Sequence, residues 1–344
     1  MKEAHPYRAL IQPVPEETVR PLWSVMIPTY NCANYLRETL ASVLVQDPGP
    51  ELMQIEVIDD HSTHDDPEAV VREVGKGRVE FYRQPENVGY IRNFETCLQR
   101  SRGHLIHLLH GDDCVGTGFY NKLQTLFEQY PEIGSAFCRQ IIVDDQGHWK
   151  GFSKLEQEES GILDNWLERI AAQHSVQTPS VVVKRAVYEQ LGGFDRRLLS
   201  CGEDWEMWVR IAAHHPVAYE VEPLALYRDR SNSLTKRSVR TGQNIRDVRR
   251  ATEIIRDYLP LPAETTNKVC DQAGETWALW AFHFAQEAII RGDITTAIAQ
   301  MREGIQCSHS LKTTKRTAQL TLKLIKKMIR QRLQLNLSLN MQKS

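Results

Sequence analysis

The chain has 344 residues, of which 41% are hydrophobic and 25% are charged, a composition typical of a soluble globular protein. This length allows one large domain with a smaller one, or two domains of ordinary size. The formal net charge of -2 argues against a nucleic-acid partner, because proteins that bind nucleic acid need a basic face. The seven cysteines are scattered and lack CxxC spacing, so we expect reduced thiols in a cytoplasmic protein and no disulfide framework or zinc site.

Residues 1–22 are rich in proline, carry mixed charges and contain no apolar core. We expect a leader without a fold of its own, and neither a signal peptide nor a membrane anchor. Further along the chain, no stretch approaches the ~20 apolar residues that a membrane helix requires.

Apolar runs and helical periodicity then alternate along the chain. Strands are predicted at 23–27, 55–58, 79–83 and 105–109, and helices at 33–45, 67–74 and 91–100. This alternation predicts an α/β fold with a mostly parallel sheet between layers of helices. Ligands of such sheets bind beyond the carboxyl ends of the strands. Polar residues follow each predicted strand, so we expect a binding site at that edge.

A second block has less regular patterns. Strands are predicted at 136–143 and 180–183, a turn at 192–195 and a helix at 203–213. Residues 236–344 are helical and charged, which predicts an all-helical extension to a domain spanning 23–235. Within the extension, one helical hairpin of the tetratricopeptide kind is predicted around Gly292 and Asp293.

The acid pair Asp112 and Asp113 follows the strand at 105–109. Two adjacent carboxylates at a buried strand end repel each other and lose hydration, so a partner should neutralise them. Mg²⁺ or Mn²⁺ could be held there and could bridge to phosphate oxygens. The alternative is a solvated turn or a helix N-cap.

Several segments in fixed order resemble family 2 glycosyltransferases of the GT-A fold. They are VMIPTYNCANYLRETLASVLVQ, IEVIDDHST, NVGYIRNF, LLHGDD, GGFD, GEDWEMWVRIA and YRDRSNSLT. The resemblance covers about residues 23–235 and implies an inverting, nucleotide-sugar-dependent enzyme. It also implies that the nucleotide and the donor contact the following residues: Pro28, Thr29, Tyr30, Asp59, Asp60, Arg92, Asn93, His110, Asp112 and Arg230. A packed aromatic at Tyr30 and a solvated arginine at Arg92 remain open alternatives.

By the same resemblance, Asp112 and Asp113 would hold Mn²⁺ or Mg²⁺. The sequence departs from the family pattern twice, since His110 stands where the first aspartate of the metal motif is usual and Arg230 stands where a histidine is usual. His110 could contact ribose or could be a core histidine. If the usual histidine helps to hold the metal, Arg230 would have to contact the diphosphate directly.

The pair Glu203 and Asp204 resembles the family pair whose aspartate is the general base, with helix capping as the alternative. The resemblance places the acceptor near Gly193, Phe194, Asp195, Glu203 and Trp205. It leaves open whether the donor carries UDP, GDP or dTDP and whether the acceptor is a glycan or is lipid-linked.

The chain has no acidic residue after Glu303, whereas residues 312–333 carry many lysines and arginines. Their apolar stripe is Ala318, Leu322, Ile325, Ile329 and Leu333. Such a helix could lie on an anionic membrane, which would make the protein peripheral at the inner face of the cell membrane. It could equally pack on the rest of the chain or form a homodimer.

The sequence therefore predicts transfer of one sugar, in polysaccharide, lipopolysaccharide or glycoconjugate synthesis. A nucleotidyltransferase is a rival, but a glycine-rich loop after the first strand, which such enzymes usually need, does not occur here. The other rival is a non-catalytic GT-A scaffold with a decayed site, which the two departures at His110 and Arg230 favour.

Overall fold

The computed structural model describes the backbone of residues 5–341 and the side chains of residues 5–332. The chain divides into two compact units. The first comprises the residues up to 170 together with 174–197 and 204–231, and the second comprises 171–173, 198–203 and the residues from 232 onward. The break at 231 and 232 lies four residues before the boundary expected from the sequence.

The first half of the first unit alternates strands and helices as predicted. Its elements are β1 (Trp23–Thr29), α1 (Ala33–Leu44), β2 (Met53–Asp59), α2 (Pro67–Gly75), β3 (Glu80–Arg83), α3 (Tyr90–Arg100) and β4 (Leu105–Leu108). Strands β1 and β2 are buried along their whole length, including the polar residues Ser24, Gln54 and Glu56.

The second half contains short elements, most of which the sequence did not predict. They are β5 (Cys114–Val115), α4 (Phe119–Gln129), β6 (Ser135–Val143), β7 (Trp149–Phe152), β8 (Gly161–Ile162), α5 (Trp166–Ala172), a 3-10 turn (Thr178–Ser180), β9 (Val181–Lys184), α6 (Arg185–Leu191), α7 (Glu203–Ala212) and β10 (Val217–Arg228). The predicted strands at 136–143 and 180–183 correspond to β6 and β9, and the predicted helix corresponds to α7.

The strands form one sheet in the order β3-β2-β1-β4-β9-β6-β10-β5, with β7 on β6 and β8 on β10. Strands β3, β2, β1 and β4 are parallel to one another, whereas β9 is antiparallel to both β4 and β6. Strand β10 returns parallel to β6. The predicted α/β class is confirmed, with a parallel half and a mixed half. The core packs Trp23, Leu36 and Leu40 with Phe119 and Leu123.

Residues 5–22, the described part of the segment before β1, form no helix or named strand, yet they pack on the rest of the first unit. Ala9 and Ile11 are buried, and Arg8 pairs with the buried carboxylates of Asp195 and Glu206. The N–H of Gly193 also donates to the carbonyl of Ala9 at 2.9 Å. The segment was expected to have no fold of its own, and these contacts show that it nevertheless packs against the rest of the first unit.

From Leu234 to Met341 the second unit consists of helices joined by short turns, as predicted for the extension. They are α8 (Leu234–Val239), α9 (Gln243–Tyr258), α10 (Ala263–Arg291), α11 (Ile294–Cys307) and α12 (Leu311–Met341). Gly292 ends α10 with a positive φ of 84°, and Asp293 caps α11 by accepting the N–H of Thr296. A turn therefore lies at the predicted position of the hairpin.

Helix α12 packs on α10 through Leu320 and Leu324, which are buried with Phe282. The predicted apolar stripe lies elsewhere on the helix: Leu322, Ile325 and Ile329 are 62%, 47% and 55% exposed. Ala318 is also exposed, and the side chain of Leu333 lies outside the described residues. Among the described helices, none combines the length and hydropathy needed to cross a bilayer.

Candidate functional site

The carboxyl ends of β1, β2 and β4 lie at one edge of the sheet, and eight of the predicted site residues lie at or just beyond them: Pro28, Thr29, Tyr30, Asp59, Asp60, His110, Asp112 and Asp113. Strand β10 ends at the same place, because the backbone N–H of Arg228 donates to the carboxylate of Asp113 at 2.8 Å. The sheet thereby brings Arg230 next to Asp112, from which it is separated by 118 positions in the chain.

The turn that carries the acid pair lies directly against the loop after β1. The N–H of Gly111 donates to the carbonyl of Pro28 at 3.0 Å. A Cβ on Gly111 would lie 3.0 Å from Thr29 Oγ1 and 3.1 Å from Cys32 Sγ, so only glycine fits without displacing these atoms. Pro28 and Thr29 are buried and shape the strand end, whereas Tyr30 is 44% exposed and is accessible to a ligand.

Asp59 and Asp60 are both buried, and neighbouring donors occupy their carboxylates. Asp59 accepts hydrogen bonds from Ser62 and pairs with Arg83 at 2.8 Å. Asp60 accepts two backbone N–H groups just before α3, at 2.8 and 3.1 Å. Burial raises the pKa of Asp60 above its ordinary value, against the effect of these two donors. The pair holds the loop after β2 in place, and a contact between these side chains and a nucleotide stays a prediction.

The predicted pair on α3 occupies two different environments. Asn93 is buried, where its amide donates to the carbonyl of Ile58 at 2.9 Å and accepts from Gln84 at 3.2 Å. Arg92 is exposed on the first turn of the helix. Asn93 therefore fastens α3 to the end of β2, while Arg92 is free to approach a ligand from solvent.

His110, Asp112 and Asp113 bring ligand atoms within 4.8 Å of one another. The His110 ring stacks on Phe94, with 5.1 Å between the ring centroids. Two buried atoms of this cluster, His110 Nε2 and Asp113 Oδ2, have no hydrogen-bond partner. A buried polar atom without a partner costs about 1–3 kcal/mol, so these two atoms require a ligand or a compensating role.

The protonation states of the cluster also favour a bound cation. Burial and the nearby carboxylate of Asp112 raise the pKa of Asp113 well above its ordinary value. Burial lowers the pKa of His110, although the carboxylates of Asp112 and Asp204 oppose that shift. A bound cation would favour the ionised carboxylate and the neutral imidazole, which are the ligand forms. The donor set of one imidazole and two carboxylates fits a divalent metal such as Mn²⁺.

Two arginines line the opposite side of the acid pair. Arg228 is nearly buried and donates to the carbonyl of Asp112 at 2.9 Å, and it pairs with Glu38 at 2.6 Å. Arg230 pairs with the carboxylate of Asp112 at 2.8 Å. Both guanidinium groups lie on the ring of Tyr35, at 4.8 and 4.9 Å from its centroid.

Asp204 lies at the start of α7 with a carboxylate that is 14% exposed. Its Oδ1 accepts the N–H of Trp205 at 2.7 Å, and its Oδ2 lies 3.4 Å from Nε2 of His174. Burial would raise the pKa of Asp204, but His174, the Trp205 N–H and the more distant His110 together lower it below its ordinary value. The carboxylate is therefore kept ionised and interacts electrostatically with the His110 cluster.

The residues predicted on the acceptor side are mostly buried. Phe194 packs between Phe94 and Trp208, and Asp195 pairs with Arg197 at 2.8 Å. The indole N–H of Trp205 donates to the carbonyl of Ile170 at 2.6 Å. Of the other two predicted residues, Gly193 donates its N–H to Ala9, and Glu203 is the first residue of α7. For all five residues a contact with an acceptor stays a prediction.

Three contributors to the site were missed in the sequence. His174 lies thirty positions before Asp204 in an irregular segment, and no motif marks it. Tyr35 and Glu38 read as ordinary residues of an amphipathic helix. A YxxE spacing on α1 puts both side chains on one face, which is the only signal that could have grouped them.

Comparison with known proteins adds a family match. Residues 24–192 match the family described as Glycosyl transferase family 2. An uncharacterized protein of Mycobacterium tuberculosis is 27% identical over 79% of this chain and 86% of its own length. An uncharacterized glycosyltransferase of Rickettsia typhi is 25% identical over 61% of this chain, and the match spans 64% of that protein's length. These matches support a glycosyltransferase of family 2.

Solved structures share the fold at low sequence identity. TarS 1–349 of S. aureus in complex with UDP-GlcNAc superposes with a TM-score of 0.65 at 15% identity, covering 89% of this chain and 88% of that one. The mannosyltransferase PcManGT from Pyrobaculum calidifontis, in complex with GDP-Man and Mn²⁺, gives a TM-score of 0.57 at 16% identity, covering 95% and 90%. At this identity the likeness establishes the fold alone.

Proposed function

From the match of residues 24–192 to glycosyl transferase family 2, we propose that the protein is an inverting glycosyltransferase. It moves one sugar from a nucleotide donor to an acceptor hydroxyl. The observation that carries the proposal is the electrostatic interaction of Asp204 with His110, which lies in one cluster with Asp112 and Asp113. A general base and a diphosphate site are the two parts that this reaction needs.

In the proposed reaction Asp204 takes the proton of the acceptor hydroxyl as its oxygen attacks the anomeric carbon. Attack from the face opposite the diphosphate inverts the configuration at that carbon. Asp112, Asp113 and His110 would hold a divalent metal, which supplies positive charge for the departing diphosphate. Arg230 and Arg92 are the cations of the chain that can add to this charge. The remaining contribution of the protein is to hold the donor and acceptor in line.

The donor follows from chemistry shared with the structural neighbours, which were solved with UDP-GlcNAc and with GDP-Man. We infer a nucleoside diphosphate sugar, with UDP, GDP and dTDP as the candidates. The experiment incubates the protein with UDP-, GDP- and dTDP-sugars and Mn²⁺ and measures the nucleoside diphosphate released, alongside the shift in melting temperature. Release from one donor is expected. A scaffold would bind without releasing nucleotide, and a nucleotidyltransferase would release pyrophosphate from a nucleoside triphosphate.

We further propose that α12 brings the protein to an anionic membrane surface, where a lipid-linked acceptor would be found. The outward face with Leu322, Ile325 and Ile329 is apolar, and Lys326 and Arg330 next to it are exposed. Because Leu320 and Leu324 hold the opposite face, the helix can bind a membrane without leaving the second unit. Each basic residue at such a surface adds ~1 kcal/mol.

The test is flotation with vesicles that contain anionic phospholipid. A variant with Leu322, Ile325 and Ile329 changed to serine should float far less than the unaltered protein. Changing Ile298 and Ile305, which are exposed on α11, is the matched control and should have little effect. If all three proteins float equally, or none floats, the membrane proposal fails. A concentration-dependent dimer lost only in the α12 variant would instead identify this face as a homodimer contact.

A further inference from the structure

The ion pair between Arg230 and Asp112 occupies the carboxylate that the resemblance makes the metal contact. The two groups are 2.8 Å apart, and each is only 22–24% exposed. A pair with this geometry is well formed, yet it still reaches solvent, so a ligand entering the pocket can displace one partner. The guanidinium therefore neutralises Asp112 in the protein described here.

Neighbouring side chains hold the guanidinium of Arg230 in position. Its guanidinium lies 4.9 Å from the centre of the Tyr35 ring, on which Arg228 also lies. Arg228 is in turn fixed by Glu38 and by the carbonyl of Asp112. Arg228 is anchored and almost buried. Of the two arginines, Arg230 is therefore the one whose guanidinium can turn from Asp112 to a bound anion.

On the other side of Asp112, the buried atoms His110 Nε2 and Asp113 Oδ2 have no hydrogen-bond partner. A divalent cation held by His110 and Asp113 would also draw on Asp112, because one ligand atom from each of the three residues lies within 4.8 Å of the other two. A guanidinium and a divalent cation on the same carboxylate would repel each other across a few ångströms. Asp112 can neutralise one of them at a time.

We propose that Arg230 competes with the divalent cation for Asp112 and serves as the chain's own cation for a diphosphate. When the metal takes Asp112, the guanidinium turns to the diphosphate oxygens, for which its planar fork is suited. In the absence of metal it still provides charge for the diphosphate. The competition for Asp112 is independent of the proposed function, and only the identity of the anion as part of a nucleotide sugar rests on it.

The test uses Arg230→Gln and two probes, each measured by calorimetry on the full chain. The first probe is Mn²⁺ alone, and the second is inorganic pyrophosphate in the presence of EDTA. Arg230→Gln removes the guanidinium that competes for Asp112, so the Mn²⁺ affinity should rise. The same change removes a positive charge that would bind pyrophosphate, so the pyrophosphate affinity should fall. Each change is expected to be about fivefold, in line with a partly exposed ion pair. A folding defect would weaken both affinities, so opposite signs are diagnostic.

Three control variants complete the experiment. Arg37→Gln removes an exposed arginine that pairs with Glu73 on the surface, and it should change neither affinity. Asp112→Asn should abolish Mn²⁺ binding, which shows that the measured site is this one. Arg230→Lys keeps the charge and should give Mn²⁺ affinity closer to that of the unaltered protein.

An unchanged or lower Mn²⁺ affinity in Arg230→Gln would overturn the competition. Unchanged pyrophosphate binding would overturn the role of Arg230 toward the anion. Sugar transfer is measured separately on the unaltered protein. If Arg230→Gln shows both affinity changes but the unaltered protein transfers no sugar, the proposed function is refuted and this inference stands.

Discussion

The parallel half of the sheet carries two pairs of adjacent aspartates at strand ends, and the surroundings of the two pairs differ. Asp59 and Asp60 follow β2, and donors from Ser62, Arg83 and two backbone N–H groups satisfy them. Asp112 and Asp113 follow β4, where Asp113 Oδ2 has no hydrogen-bond partner and Asp112 depends on Arg230. The same dipeptide is therefore satisfied by surrounding donors in one loop and keeps a carboxylate oxygen without a hydrogen-bond partner in the other.

This difference shows that an Asp-Asp motif alone does not determine whether nearby donors satisfy its carboxylates. Both pairs satisfy the expectation that carboxylates gather beyond strand ends, and both are flanked by turn-forming residues. What separates them is the supply of nearby donors, which comes from elements far away in the sequence. A region whose polar atoms are all satisfied is expected to affect stability, and a region with unsatisfied atoms is expected to affect ligand binding.

The largest expected effect is in the region with the unsatisfied atoms. Asp204→Asn should lower sugar transfer by about 10²–10⁴ in a single-turnover assay, because the general base is lost. Donor binding by calorimetry and the melting temperature should stay close to those of the unaltered protein, since asparagine keeps the size of the side chain and much of its capping ability.

Asp66→Asn is the matched control for Asp204→Asn, because Asp66 also accepts an N–H group at a helix start but lies on the surface at α2. Its transfer rate should be unchanged. Near-normal transfer by Asp204→Asn would reduce Asp204 to a helix cap and remove it from the reaction.

The comparison of the two acid pairs is tested directly by Asp59→Asn. This change breaks the pair with Arg83 and weakens the hydrogen bonds from Ser62 at a fully buried site. We expect a loss of about 2–3 kcal/mol in the free energy of unfolding, measured by urea denaturation. Asp112→Asn, in a partly exposed pair, should cost less than about 1 kcal/mol. Equal losses at the two positions would contradict the contrast between the loops.

A smaller loss is expected where the loops after β1 and β4 meet. Gly111→Ala places a methyl group 3.0 Å from Thr29 Oγ1 and 3.1 Å from Cys32 Sγ. Relieving this overlap should cost about 1–2 kcal/mol of stability and should weaken Mn²⁺ binding, because Asp112 and Asp113 move with the turn. Gly151→Ala, where the added Cβ would meet nothing, is the control in the same unit. Gly111→Ala with normal stability would show that the turn adjusts freely.

The parallel half of the sheet could be predicted because its evidence is local. The strands at Trp23–Thr29 and Met53–Asp59 are buried along their whole length, and each contains a short, mostly apolar stretch, WSVMI or IEVI, that ends at turn residues. The helices between them have one buried stripe each, which gives the period of a helix. The predicted positions of Asp59, Asp112 and Asp204 followed from the same local patterns and from the resemblance.

Strand β10 was missed, although it carries Arg228 to the site. Pro223 interrupts it, and its register against β6 shifts on both sides of that proline. A proline in an apolar run argues against a central strand, and a bulge is the structural solution that sequence patterns do not show. The contacts of Arg228 with Asp113 and of His174 with Asp204 depend on chain topology, so no spacing rule could have paired them.

The smallest expected effect concerns that second contact, between His174 and Asp204. His174→Asn removes the partner whose charge and hydrogen bond lower the pKa of Asp204 against burial. The pKa of Asp204 should then rise, so the acid limb of the pH–rate profile should move to higher pH. Above that limb the rate should fall by about tenfold or less, through poorer orientation of the carboxylate.

The sign of this shift separates a positioning role from general instability. A group with a lowered folded-state pKa stabilises the fold above its unfolded pKa and loses that contribution as the pH falls through the folded value. As the pH is lowered, His174→Asn should therefore lose both sugar transfer and folding stability at a higher pH than the unaltered protein does. His148→Asn is the matched control, because His148 pairs with Asp144 on the surface at 3.2 Å, and it should leave the profile unchanged. A slower His174→Asn enzyme whose acid limb has not moved would mean that His174 acts by packing and does not tune Asp204. A limb that moved to lower pH would contradict the assignment of Asp204 as the base whose ionisation His174 supports.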